Sequence, residues 1–101
     1  YCDAILCPTT TAPAFRIGEK SDDLLGMYLN DIYTVNANLA GIPGISLPGG
    51  FDDSGERPLP VGVQLLGQAF DEARLLRIAR RLERALDINP LRPTLAASSA
   101  P

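Results

Sequence analysis

At 101 residues, with 46% hydrophobic side chains, the chain can bury one small core, so one domain or part of one is the bound. Its formal net charge of -3 gives no general attraction to phosphate backbones or anionic membranes, which calls for a basic excess, and nucleic acid is not expected as a direct ligand. The sequence contains no histidine, which excludes every Ser-His or Cys-His pairing and every His-ligated metal site within it.

The chain opens at Tyr1 without an initiator Met, directly into the apolar run Ala4-Ile5-Leu6-Cys7. Such a run, closed by Pro8 and three threonines, predicts a strand covered on both faces, as in a parallel or mixed sheet. Cys2 and Cys7 lie five positions apart, on opposite faces of an extended segment, and are not expected to bridge; a reducing compartment fits. Pro13, Gly18 and Lys20 interrupt any period between residues 12 and 20, predicting an irregular connector. Ser21 or Asp22 is placed to cap a short helix carrying Leu24, Leu25, Tyr28 and Leu29. Asp31 or Thr34 is placed to start a second, with Ile32, Val35 and Leu39, stopped by Gly41 and Pro43.

A strand is expected from Gly44 to Leu47, then a polar, exposed and mobile loop from Gly49 to Pro58 whose glycine pair serves a tight turn. The run Val61 to Leu66 predicts a strand antiparallel to the preceding one, with Val61, Val63 and Leu65 sharing a face. The last helix has Asp71 as cap, Phe70 and Leu75 as a hydrophobic staple, and Leu75, Ile78, Ala79, Leu82 and Leu86 as its buried stripe. Beyond Asn89-Pro90 the composition turns to Pro, Ala and Ser without period, which divides the chain into a packed portion, 1–88, and a tail, 89–101. No apolar run approaches the roughly 20 residues needed to span a bilayer, and no signal peptide pattern is present. The pattern is mixed α/β, and the first strand has no sequential partner; an unpaired apolar strand is a liability for an isolated domain, so the chain is expected to be a piece of something larger.

Asp31 stands out because it lies at a bend between two apolar helices, where a carboxylate can point into a cleft and pair with an ammonium group. The plainer reading is an N-cap of the second helix, and the two roles can coexist. Thr9, Thr10 and Thr11 lie where a strand leaves the sheet, the usual place for a ligand crevice in open α/β sheets, although turn hydrogen bonds alone explain threonine after proline. Arg74, Arg77, Arg80, Arg81 and Arg84 decorate the last helix together with Asp71, Glu72, Glu83 and Asp87, and this balance favours a solvated face over an RNA-binding stripe. Lys20, the only lysine, adjoins Ser21, but neighbours in a loop are not converged into a Ser-Lys pair.

The segments PTTTAPAFRIGEK, MYLNDI, NLAGIPGISLP and LPVGVQLLG together resemble the carboxy-terminal part of the amidase-signature family, and within it the glutamine-hydrolysing A subunits of tRNA-dependent amidotransferases. The resemblance covers about Asp3 to Glu83. It implies an α/β fold with a mixed β-sheet flanked by helices, and catalysis by a Ser, cis-Ser, Lys triad lying upstream, so no catalytic residue and no metal ligand is assigned within this chain. It also implies that Asp31 binds the α-amino group of glutamine. Hydrolysis would release ammonia to partner subunits of a heterotrimer-like complex in the cytoplasm, where ATP and Mg²⁺ are used and tRNA is met only indirectly. Two alternatives remain at this point: a stand-alone amidase acting on other amides, and a non-catalytic remnant that binds a partner through its sheet edge.

Overall fold

The structure, a computed structural model, describes residues 1–19 and 24–88. Its elements in chain order are β1 (Ala4–Pro8), α1 (Leu24–Asn30), α2 (Val35–Ala40), β2 (Gly44–Asp52), β3 (Leu59–Gly67) and α3 (Glu72–Leu86). The mixed α/β order matches the sequence pattern. The expected cap at Ser21 or Asp22, the Lys20-Ser21 pair and the tail from residue 89 lie outside the described residues.

β3 is the centre of the sheet, with strand order β1-β3-β2. β2 reaches it as an antiparallel hairpin partner, and that pairing leaves the other edge of β3 free. β1 takes this edge, also antiparallel, in a register that sets Leu6 against Leu65 and Cys7 against Gln64. The expectation that the first strand has no partner in this chain is therefore corrected: its partner lies beyond both short helices and β2, and hydrophobic pattern carries no signal of a contact at that separation. The expected cover on both faces is also missing among the described residues, where Ile5 and Leu6 are 53% and 59% exposed.

The hairpin differs from expectation in length. β2 does not stop at Leu47 but runs to Asp52, through the glycine pair, with an irregularity in register between Pro48 and Gly50. Gly49-Gly50 thus forms a β-bulge rather than a tight turn. Each glycine has its own reason: a Cβ on Gly49 would sit 2.6 Å from Val63 Cγ1, and Gly50 has φ +145°, which side-chain-bearing residues rarely adopt. The connection shrinks to residues 53–58, where the Ser54 amide donates to Asp52 Oδ1 at 3.0 Å. Bonds from Ser54 hold the Asp52 carboxyl below the ordinary aspartate value.

One face of the sheet meets α3. Leu75 and Ala79, one helical turn apart, bury against Leu47 and Leu65, with Ile45, Val63, Ile78 and Leu82 partly buried around them. Each fully buried leucine contributes about 1.5–3 kcal/mol, so this is a small core. The stripe follows the sequence reading, but the expected start of the helix does not. Phe70 is 96% exposed with φ 63°, so no staple with Leu75 forms, and the Asp71 side chain makes no capping bond. Arg74 draws that carboxylate away, its Nε lying 3.3 Å from Asp71 Oδ2 while its Nη1 donates to Asp3 at 2.9 Å. These exposed pairs contribute at most about 1 kcal/mol each.

α1 and α2 form the predicted bent pair, and neither contains a buried residue. The second helix begins after Thr34, not at Asp31, and Thr34 Oγ1 donates to the Asp31 carbonyl instead of capping the helix. Gly41 ends it in the left-handed conformation, as expected, its amide bonded to the Ala37 carbonyl at 2.9 Å.

Gly49→Ala is expected to lower stability by about 1–3 kcal/mol, the usual cost of overpacking, whereas Gly55→Ala, with nothing within 4 Å of its Cβ, is expected to leave the thermal midpoint unchanged. Equal midpoints for the two variants contradict the bulge. Because the Asp52 carboxyl is depressed, the order it confers on the turn is fully present above the ordinary aspartate value of 3.8 and is lost as pH falls through its own lower value. An NMR titration of Asp52 is expected to show that lower midpoint, and Ser54→Ala to raise it; a midpoint insensitive to Ser54→Ala refutes the assigned cause.

Candidate functional site

Side chains alternate across a strand, so the face of the sheet opposite Leu65 and α3 carries Gln64 of β3 and, by register, Ser46 of β2 and Cys7 of β1 beside it. Gln64 is 5% exposed and is the one buried polar residue among those described. A buried amide needs partners, and Gln64 finds them in both directions. Its Nε2 donates to the Tyr33 carbonyl at 2.9 Å and lies 3.4 Å from Cys7 Sγ.

Beside it, Thr9 Oγ1 and Ser46 Oγ are 2.7 Å apart. They meet over Gly62, where a Cβ would come within 2.9 Å of the Thr9 oxygen and 3.0 Å of the Ser46 oxygen. The Thr9 amide extends the ladder to the Gly62 carbonyl at 3.3 Å. The three threonines therefore have different duties: Thr9 closes this hydroxyl pair, Thr10 satisfies a turn through the Ala12 carbonyl at 2.7 Å, and Thr11 Oγ1 donates to Asn30 Oδ1 at 3.1 Å. A cleft of about 580 Å³ opens beside them, lined by Cys7, Pro8, Thr10, Thr11, Asp52 and Gly62 among others. Of the two readings weighed for these threonines, the turn hydrogen bond is present at Thr10, and Thr10 and Thr11 also border this cleft.

Asp31 does not line it. The residue is exposed, in the turn 31–34 that links α1 to α2. Its amide donates to the Tyr28 carbonyl, and its own carbonyl accepts from the amides of Thr34 and Val35 at 3.1 and 3.0 Å. The backbone of Asp31 thus joins the end of one helix to the start of the next while its carboxylate remains outside the helix, free of the capping role weighed against it.

The Thr9 and Ser46 hydroxyls face each other, and a nucleophile needs an adjacent base. Among the described residues no three of His, Cys, Asp and Glu converge as metal ligands, and no helix is long and apolar enough to cross a membrane. Arg80 pairs with Glu83, and Arg74 with Asp3 and Asp71, consistent with a solvated face on α3. Both cysteines are free, as the spacing predicts.

Sequence reasoning misses Gln64 and Ser46. Gln64 carries a readable signal, since it is the only polar side chain in the apolar run Val61 to Leu66, but attention to Val61, Val63 and Leu65 leaves the opposite face unread. Ser46 carries none, because its partner Thr9 is 37 residues away.

Known proteins share this arrangement of sequence. A family model described as Amidase matches residues 1–76. The chain is 60% identical over 85 residues to the glutamyl-tRNA(Gln) amidotransferase A subunit from Myxococcus xanthus, covering 84% of this chain and 17% of that protein. It is 56% identical over 94 residues to the protein of the same name from Syntrophus aciditrophicus, covering 93% and 19%. With that of Thiobacillus denitrificans it shares 52% identity over 96 residues, covering 95% and 19%. The chain thus spans about a fifth of the length of these relatives. With three-quarters of its residues matched by the family model, over the strands, the glycine bulge and the Asp31 turn described above, the chain belongs to the amidase family.

Proposed function

We propose that this chain is the carboxy-terminal portion of a glutamine-hydrolysing A subunit of a glutamyl-tRNA(Gln) amidotransferase, with residues 1–88 belonging to the amidase domain and 89–101 a Pro/Ala/Ser-rich tail by composition. The support is the identity of 52–60% to relatives so named, sustained over most of the chain. In this reading the nucleophile and its lysine belong to polypeptide upstream, glutamine is hydrolysed through an acyl-enzyme, and ammonia passes to partner subunits in the cytoplasm that use ATP and Mg²⁺ to convert Glu-tRNA(Gln) to Gln-tRNA(Gln).

The share of this chain in that chemistry is substrate positioning by Asp31. The observation that carries it is the placement of Asp31 in the α1–α2 turn, exposed and outside the helix-capping role, with its backbone fixed by hydrogen bonds on both sides. A carboxylate so held pairs with the α-ammonium of glutamine, and anchoring that end of the substrate aims the side-chain amide at the nucleophile.

Asp31→Ala in the full-length protein is expected to raise KM for glutamine by about 10–100-fold, the value of one charge-assisted hydrogen bond. Hydrolysis of glutaramate, which lacks the α-amino group, is expected to be unaffected. An unchanged KM for glutamine removes Asp31 from the site.

A further inference from the structure

The α1–α2 segment has no buried residue. Among the described residues, two side-chain hydrogen bonds reach it from β3 and from the loop after β1, and they straddle Asp31. On one side Thr11 Oγ1 donates to the side chain of Asn30, the residue before it, at 3.1 Å. On the other, Gln64 Nε2 donates to the carbonyl of Tyr33, two residues after it, at 2.9 Å. The anchors differ in character. Gln64 sits at 5% exposure in the central strand, steadied by Cys7 Sγ at 3.4 Å. Thr11 belongs to the loop that leaves β1 and lines the cleft.

We propose that Gln64 and Thr11 are positioning residues that hold the Asp31 turn at a fixed height above the sheet, so that the Asp31 carboxylate meets the substrate ammonium at the right distance from the cleft. This rests on the reading of Asp31 given above and extends it to the sheet. A carboxylate on an untethered turn must be ordered at the moment of binding, and that cost weakens ground-state affinity for a substrate carrying the ammonium. Gln64 and Thr11 bond to the residues that flank Asp31. Their effect is routed through Asp31 and is visible only where Asp31 has something to hold.

The test is a double-mutant cycle in the full-length protein. Gln64→Met keeps length and burial while removing the donor, and Thr11→Val removes a hydroxyl at an exposed position. Each is expected to raise KM for glutamine about fivefold, the value of one neutral hydrogen bond, with kcat within about twofold. Neither is expected to change glutaramate hydrolysis or to add to the effect of Asp31→Ala. A rise in KM that persists in the Asp31→Ala background or extends to glutaramate overturns the proposal, because it marks a general structural role. Silent Gln64→Met and Thr11→Val beside an Asp31→Ala that does raise KM overturn it while leaving Asp31 in place; an Asp31→Ala without effect removes the underlying reading as well. If Gln64→Met fails to fold, Thr11→Val alone decides between these outcomes.

Discussion

Everything described in this chain is referred to β3. It is the only described strand with a neighbour on both edges, it supplies Leu65 to the small core on one face, and it supplies Gln64 to the polar face on the other. A single strand with alternating sides thus separates two kinds of stabilisation. On the α3 side the interaction is apolar and non-directional, and it tolerates a helix whose first turn lacks both staple and side-chain cap. On the other side it is directional, because an amide as buried as Gln64 accepts only a partner at hydrogen-bond distance. That requirement ties the α1–α2 turn to the middle of the sheet.

The two glycines that face these layers make the same point from the backbone. Gly49 lets β2 approach Val63 within the bulge, and Gly62 leaves room for the Thr9 and Ser46 hydroxyls to meet above β3. Both occupy positions where a methyl group has no space, and both lie within strands rather than at turns. The bulge also extends β2 to Asp52, which brings that carboxylate to the lining of the cleft beside Thr10 and Thr11. Backbone packing and cleft composition are therefore coupled through the glycine pair.

How much of the fold is legible in the sequence follows the range of the interactions involved. The α3 stripe, the bend between α1 and α2 and the left-handed stop at Gly41 depend on residues within a turn or two of each other, and each is readable from spacing. The Gln64–Tyr33 bond joins residues 31 positions apart, the Thr9–Ser46 contact spans 37, and the pairing of β1 with β3 reaches further still; no local period encodes any of them. Composition misleads at two places. Glycine twice in succession reads as a turn, yet the register of β2 absorbs it as a bulge; Phe70 before an aspartate reads as a staple, yet its left-handed backbone turns the ring to solvent. Spacing alone places Asp31 at the bend, but only the hydrogen bonds around it separate its carboxylate from the N-cap role.

The role proposed for Asp31, whose flanking residues are bonded to Thr11 and Gln64, is to grip the amino group of the substrate. A crystal structure of the full-length protein soaked with glutamine tests it most directly. The predicted result is an Asp31 carboxylate oxygen within about 2.7–3.2 Å of the α-nitrogen, with the Gln64 and Thr11 contacts to the flanking residues intact. A bound glutamine whose amino group is held by other residues, with Asp31 facing solvent, contradicts it.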